Sequence, residues 1–388
     1  MSAATPLERL ARGESAFAQE PPGGWAPELY WLWLADLLRP GFAHTGRVLD
    51  AYGTARAVWE QRFDPDRFAH AAGAAAARRL VQEDKTPADY QALYAQCTAC
   101  GVHIITFEDP DYPLALSRIS DLPLVLYCTG STQWLNAAHT VGMVGSRRPT
   151  AYGAEAAARL GAQLAQGGAV IVSGMADGLD SECHKAALAQ HTPTIAVLGV
   201  PIDRTYPVAN AGLRRRIEAC GAVISEYPPV GEEVYRAAFL QRNRIIAALS
   251  QALVVVEARR RSGTMSTVGH AARYGRPVFA VPGSVFSPLS EGTNELLRTG
   301  QARAAVCAQD ILQAVGLGGG QQPAAAPEPE PLPPAAKKVL ACLGARPVGL
   351  AALAERTGLS MGALLGALTA LEVAGRITAL PGRQYSLK

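Results

Sequence analysis

Lysine is scarce in this chain: 31 of its 36 basic residues are arginine and only five are lysine. Aromatic residues are also few, at 6% of 388 positions, and charged residues reach only 18%. Sparse charge beside 49% hydrophobic residues excludes a wholly disordered chain, and the length allows two or three domains with real cores. No uninterrupted apolar run is long enough to span a bilayer, so membrane insertion is not expected. Cysteine supplies no disulfide framework: seven residues, an odd count with no signal peptide, point to a reducing cytoplasm. Cys97 and Cys100 form the one CxxC pair, without a second pair at metal-ligand spacing, and a structural origin stands beside a zinc or redox one. The GxGxxG fingerprint and the Walker lysine are missing too. That removes support for dinucleotide binding and ATP hydrolysis, and neither cofactor nor metal is expected.

What is present is unevenly distributed. The formal net charge of +3 conceals an acidic start, with 11 basic and 16 acidic side chains in residues 1–135. Residues 136–315 carry 18 and 13, residues 316–336 hold two acids, and residues 337–388 hold seven bases against two acids. The basic excess thus lies in the middle and at the end, where a polyanion partner is chemically reasonable. Residues 1–24 read as a mobile leader, and 25–90 as a small helical domain whose Trp31, Trp33, Tyr52 and Trp59 form its core rather than a base-stacking surface.

Residues 91–315 settle, after a helical lead-in and the strand VHIITF, into apolar strands alternating with helices: TVGMVG, AVIVSG, TIAVLG, AVISEY, ALVVVEA and PVFAVPG are the strands. That alternation requires an α/β fold with a mostly parallel sheet covered on both faces, and the spacing suits a doubly wound sheet better than a closed barrel. Residues 316–336, rich in Pro, Ala and Gly, read as a linker. Residues 337–388 form three helices and a hairpin, the pattern of a winged helix domain, with TGLS as its helix-turn-helix corner and PGR as the wing tip.

Chemistry concentrates at the strand ends. After the first parallel strand come Gly145, Ser146, Arg147 and Arg148, where glycine admits backbone amides to a ligand and an arginine fork can clamp phosphate. The second strand ends in Ser173 and Gly174, followed by Asp177, Gly178 and Asp180; Asp180 suits a helix cap, and His184 one turn later is structural rather than a general base. Phe239, Arg242, Asn243 and Arg244 form the densest cluster, read as a loop-to-helix entry that turns both arginines one way. Arg259, Arg260, Arg261, Ser262, Gly263 and Thr264 follow Glu257 as a loop of anion donors. Credible nucleophile–base pairs are few, so these edges suit holding a phosphate backbone better than breaking a bond, and no catalytic residue is expected.

The stretches VGSRRPTAYG, SGMADGLDSECHKAAL, TIAVLGVPIDRTYPVAN, FLQRNRIIAALS and VVVEARRRSGTMSTVGHAARYGRPVFAVPGS, in this order, resemble the bacterial DprA/Smf family of DNA-processing proteins. The resemblance implies a Rossmann-like core with an N-terminal helical (SAM-like) domain and a C-terminal winged helix. It implies binding of single-stranded DNA without sequence preference, protection of incoming DNA in natural transformation, loading of the RecA recombinase, a homodimer formed through the core, and no enzymatic turnover. Arg147 carries over as a phosphate contact, Arg242 and Arg244 as members of the same basic surface, and Ser173-Gly174 and Ser262-Gly263 as the family's strand-end loops. The chain departs from the family pattern at Asp177, at Val200-Pro201-Ile202, at Leu240 and at Val208.

In the winged helix, Lys337, Lys338, Arg376 and Arg383 are the possible duplex contacts. The apparent recognition helix MGALLGALTALEVAG has no basic residue, which favours non-specific or protein contacts over reading an operator. Two rival functions remain. One is a phosphoribohydrolase-like enzyme, whose PGGxGT loop is absent, and the other is a winged-helix transcription regulator.

Overall fold

Pro27 opens helix α1 (Pro27–Leu38) in its first turn, where a missing N–H has no intrahelical partner to lose. Leu29 to Leu34, Leu37 and Leu38 are all buried, so α1 is the central rod of the helical region and not an amphipathic surface helix. Around it lie α2 (Thr45–Tyr52), α3 (Ala55–Glu60), α4 (Pro65–Ala72), α5 (Ala74–Gln82) and α6 (Pro87–Ala99). Thr54 and Asp64 cap α3 and α4 by accepting from the amides of Ala57 and Arg67. Trp31, Trp33, Tyr52 and Trp59 are buried, and Trp33 meets Trp59 edge to face at 5.1 Å, so these rings are core.

This computed structural model describes residues 25–82, 85, 87–229, 236–317, 333–343, 348–373, 376–380 and 384–387. The leader 1–24, most of the linker 316–336 and the wing tip with Arg383 lie outside the described residues. Two compact units divide the chain, Met1–Gly319 and Gly320–Lys388.

In the first unit the chain continues through β1 (His103–Thr106), β2 (Val125–Gly130), β3 (Thr140–Val144), α7 (Ala151–Gln166), β4 (Val170–Ser173), α8 (Leu179–Ala189), β5 (Thr194–Leu198) and α9 (Ala211–Cys220). It proceeds through β6 (Ala222–Ser225), α10 (Arg236–Leu249), β7 (Ala252–Val255), α11 (Thr264–Arg273), β8 (Val278–Ala280), α12 (Glu291–Arg298), β9 (Arg303–Ala304) and α13 (Ala308–Ala314). The nine strands form one sheet in the order β1-β2-β6-β5-β4-β3-β7-β8-β9. β1 and β2 run antiparallel to each other, and β2 runs antiparallel to β6, while every other pairing is parallel.

Both faces are covered, as the continuous apolar strands require. In β7, Ala252 and Val254 join a core with Leu160 and Leu164 of α7 and Cys183 of α8, while Leu253 and Val255 join the opposite core with Ile245 and Ile246 of α10. That second core also takes in Leu29 to Leu38, so the N-terminal helices and the sheet share one apolar interior. Connectivity positions the site. The chain steps outward from β3 through β4 and β5 to β6, then α10 returns it to the other flank of β3 to begin β7. The loops leaving β3 and β7 therefore part at a topological switch point, where open α/β sheets bind their ligands.

The second unit contains α14 (Pro334–Cys342), β10 (Val348–Gly349), α15 (Leu350–Thr357), α16 (Met361–Val373), β11 (Ile377–Leu380) and β12 (Gln384–Leu387). Its sheet order is β10-β12-β11, and its core holds Val339, Leu353, Leu364, Leu368 and Leu371. Gly358 ends α15 with φ of +65°, the left-handed turn of a helix-turn-helix corner. This is a winged helix. No helix among the described residues is long and apolar enough to cross a membrane.

Candidate nucleic-acid interface

The loops after β3, β4 and β7 are locked together by contacts that only glycine permits. A Cβ on Gly178, whose φ is +74°, would stand 2.5 Å from the carbonyl oxygen of Ser146. At Gly153 a Cβ would stand 2.4 Å from a carboxylate oxygen of Glu257. That carboxylate is the anchor of the edge. Glu257, 1% exposed two residues past the end of β7, accepts from the Thr150 amide at 3.0 Å and from the Thr150 hydroxyl at 2.5 Å. Thr150 in turn caps α7 by accepting from the Gly153 amide at 3.1 Å.

These loops enclose a cavity of about 240 Å3. Gly145, Ser146, Arg147, Phe239, Arg242, Asn243, Arg259, Ser262, Gly263 and Thr264, all singled out in the sequence, contribute to its wall. Arg147 is exposed, and its guanidinium lies 5.3 Å from the centroid of the Phe239 ring. Asn243 pins the wall by donating to the Gly263 carbonyl at 3.2 Å and the Ser266 hydroxyl at 2.9 Å. The Thr264 hydroxyl, at the start of α11, donates to the Gly145 carbonyl at 3.2 Å, and the Ser262 hydroxyl oxygen is buried without a protein partner. A larger cavity of about 600 Å3, lined by Leu32, Tyr90, Leu124 and Tyr127, holds none of these residues.

Other members of the predicted set have different places. Arg148 is exposed off the cavity, with its backbone amide donating to Ser146 Oγ at 3.1 Å. Ser173 is fully buried and donates to the Met143 carbonyl at 2.6 Å, so it ties β4 to β3 and faces no ligand. Gly174 is buried at the foot of the adjoining pocket, and its carbonyl accepts from Arg242 at 2.8 Å. Arg260 and Arg261 are exposed outside the cavity, and Arg260 reaches to within 3.9 Å of Glu295. In the winged helix, Lys337 and Lys338 on α14 and Arg376 before β11 are exposed.

The RNR cluster corrects the sequence reading. Arg242 and Arg244 are not at a helix entry: α10 begins at Arg236, and residues two apart in a regular helix diverge. Arg242 is 4% exposed, and its guanidinium donates to the carbonyls of Gly174 and Val197. Burial lowers its pKa to about 10, with Asp180 acting in the other direction and Arg147 adding to the lowering. Arg244 does not reach the cavity. It is 2% exposed and donates to Glu226 Oε1 at 2.6 Å and to the Asp121 carbonyl at 2.8 Å. Burial opposes its charge, but Glu226 and Asp121 outweigh that and hold its pKa above the ordinary value.

Asp180 does not cap α8 from outside but is buried beside Gly174; burial raises its pKa, against the pull of Arg242 and of the Ala176 amide. His184 is wholly buried, and burial, with Arg242 adding to it, lowers its pKa to about 3. A neutral ring with no access to ligand is no general base. Among the described residues, no group of three His, Cys, Asp or Glu is placed to hold a metal. Tyr206, left unassigned in the sequence, joins the site: it is 50% exposed, and its ring lies 5.3 Å from that of Phe239. Its signal was the Tyr-Pro pair after the β5 loop; what no local pattern encodes is that α10 carries Phe239 back across to meet it.

Residues 103–316 match the model of the family DNA recombination-mediator protein A, and residues 323–383 match the DprA winged helix domain. The chain belongs to this DprA family. It is 35% identical over 376 residues to the putative DNA processing protein DprA of Mycobacterium tuberculosis, covering 92% of this chain and 94% of that one. It is 41% identical over 204 residues to DNA processing protein DprA of Streptococcus pneumoniae, covering 53% and 71%. The X-ray structure of the Streptococcus pneumoniae protein superposes with a TM-score of 0.61 at 32% identity, over 74% of this chain and 97% of that one. The structure of DNA processing protein A from Helicobacter pylori, which concerns that protein's single-stranded DNA binding mode, gives a TM-score of 0.50 at 35% identity, over 55% and 95%.

Within the DprA framework, the departures of this chain have definite positions. Asp177 is exposed on the wall of the pocket shared by Arg147 and Tyr206. Val200 and Ile202 are buried and fill the core. Leu240 is 48% exposed on the cavity rim, and Val208 is 79% exposed.

Proposed function

We propose that this DprA-family chain is a recombination mediator, not an enzyme, and that it holds single-stranded DNA by its phosphates along the carboxyl edge of the sheet. The observation that carries the proposal is Arg147, exposed at the cavity and poised over the Phe239 ring. A guanidinium beside an aromatic pair is suited to a phosphate and an unstacked base at once, without reading sequence. Arg259, Ser262, Gly263 and Thr264 supply further donors across the cavity. Arg242 contributes charge from within the wall, and Arg244 serves the fold.

The same reading extends to function in the cell: a homodimer through the sheet-bearing unit that protects incoming DNA during natural transformation and delivers it to RecA in the cytoplasm. Family membership supports these steps. For the winged helix we favour a protein partner over an operator, because α16 exposes Met361 and Leu365 and carries no basic residue.

The test is binding of a fluorescent oligonucleotide by the full chain as salt is varied. Affinity is expected to fall with salt, and Arg147→Ala is expected to weaken binding and to reduce the slope of log K against log salt by about 0.7, one single-strand phosphate contact. Affinity indifferent to both salt and Arg147 overturns the phosphate clamp.

A further inference from the structure

Between β8 and α12 the chain makes a tight turn whose tip is apolar and held outward. Val285 is 80% exposed and Phe286 is 93% exposed, the most exposed large apolar side chain among the described residues. The turn is fastened at both ends. The Gly283 amide donates to Asn294 Oδ1 at 3.1 Å, and Asn294 Nδ2 returns a bond to the Gly283 carbonyl at 3.0 Å. Inside it, Phe286 N–H donates to Ser284 Oγ at 3.2 Å, and the Ser287 and Ser290 amides close successive turns at 3.0 Å. A Cβ on Gly283 would stand 2.1 Å from Ser290 Oγ, so any side chain there would have to displace Ser290. A phenylalanine held in water by a braced turn forgoes the gain of burial, which directs attention to a ligand.

Three connections tie this turn to the candidate DNA edge. Leu289, in the same turn, lines the 240 Å3 cavity. The Tyr152 hydroxyl, on α7 just beyond the Arg147 loop, donates to the Pro282 carbonyl at 2.6 Å. The Gly292 amide donates to the Ala258 carbonyl at 2.8 Å, fixing α12 to the loop that bears the exposed Arg259, Arg260 and Arg261. The edge thus carries exposed arginines on two loops, Arg147 after β3 and Arg259–Arg261 after β7, and the turn that bears Phe286 is hydrogen-bonded through α12 to the second of them.

We propose that Phe286 is a second base-stacking ledge, which receives a base of the same single strand after the strand has passed through the cavity. This rests on the reading that the cavity holds a phosphate of single-stranded DNA. Arg259 and Leu289 both line the cavity, so a strand that leaves it on the Leu289 side meets the braced turn. There Phe286 offers a ring face to any base, and Val285 widens the apolar contact.

The experiment compares full-chain variants for binding to thymidine monophosphate and to an oligothymidylate, with sedimentation of each variant alongside. Phe286→Ala and Phe286→Leu are each expected to weaken the oligothymidylate about 5- to 10-fold, the low end for loss of one stacked base, with the salt slope and thymidine monophosphate binding unchanged. Phe286→Trp is expected to retain wild-type affinity. Wild-type affinity in Phe286→Ala overturns the ledge, and so does a loss accompanied by a change in sedimenting mass, which assigns the tip to contact between copies. Equal retention by Phe286→Leu and Phe286→Trp also overturns it, since bulk then suffices without a ring. If Arg147→Ala binds normally while Phe286→Ala does not, the phosphate clamp at Arg147 fails, and with it the route through the cavity, leaving Phe286 as a base contact of its own; the reverse result rejects the ledge alone.

Discussion

Arg147 and Arg244 have the same side chain and opposite employment. Arg147 is exposed above Phe239, whereas Arg244 is enclosed by Glu226, the Asp121 carbonyl and the Gln241 carbonyl. Removing a buried cation strands its carboxylate partner, so Arg244→Ala is expected to cost about 3–5 kcal/mol of stability, measured by urea unfolding. Arg147→Ala should stay within about 0.5 kcal/mol on the same measurement while losing DNA affinity. His184 sets a different kind of limit. The Thr194 hydroxyl donates to the Ile171 carbonyl at 2.7 Å, so its lone pair accepts from His184 Nδ1 at 2.7 Å, leaving Nε2 bare in the interior. With the ring held neutral to about pH 3 in the fold and an ordinary value of 6.5 in the open chain, the unfolded state binds the extra proton between them. Stability therefore falls as pH drops below about 6.5, and His184→Gln is expected to flatten that part of a plot of Tm against pH.

At the scale of elements, the alternation of apolar runs with helical ones was enough to read the parallel sheet and its order of strands and helices. Of the strand-end loops, those after β3 and β7 were legible in part, since Gly145, Ser146, Arg147, Arg259 and Ser262–Thr264 do line one cavity, whereas Ser173 after β4 is used to tie β4 to β3. The destinations of Arg242 and Arg244 were not legible. They depend on where α10 begins, and neither proline nor a capping Ser, Thr or Asp stands just before Arg236 to mark that start. Tyr206 and the turn at Phe286 escaped for a related reason, since each acquires its neighbours only when a later helix closes over the edge. The loops themselves make a sharp prediction. Gly178→Ala must place a Cβ at φ +74° against the Ser146 carbonyl, a strain of about 1–3 kcal/mol that displaces the Arg147 loop. Lower Tm together with weaker DNA binding is the expected outcome, and unchanged binding would separate the loop's position from its function.

For the molecule as a whole, the first unit has a core on each face of its sheet, one of them shared with the N-terminal helices, and the winged helix has a core of its own. Calorimetry is accordingly expected to resolve more than one cooperative transition. Because Trp33 lies in the same core as Leu253, Trp33→Ala is expected to destabilise helices and sheet together, in one transition, by about 3–5 kcal/mol. The arrangement also explains why a net charge of +3 says so little. Arg242 and Arg244 are spent inside the fold, and the arginines that face solvent at one edge are a minority of the total.

The glycine-mediated interlock of the strand-end loops has a kinetic consequence. Loops that touch through Gly153 and Gly178 and are anchored on Glu257 are already packed against one another, so capture is expected to need no prior rearrangement. Encounter is then governed by long-range attraction to the rim, and residence by what happens inside. Neutralising Arg260 or Arg261 should slow the arrival of a strand, whereas altering Arg147 or Phe239 should hasten its departure.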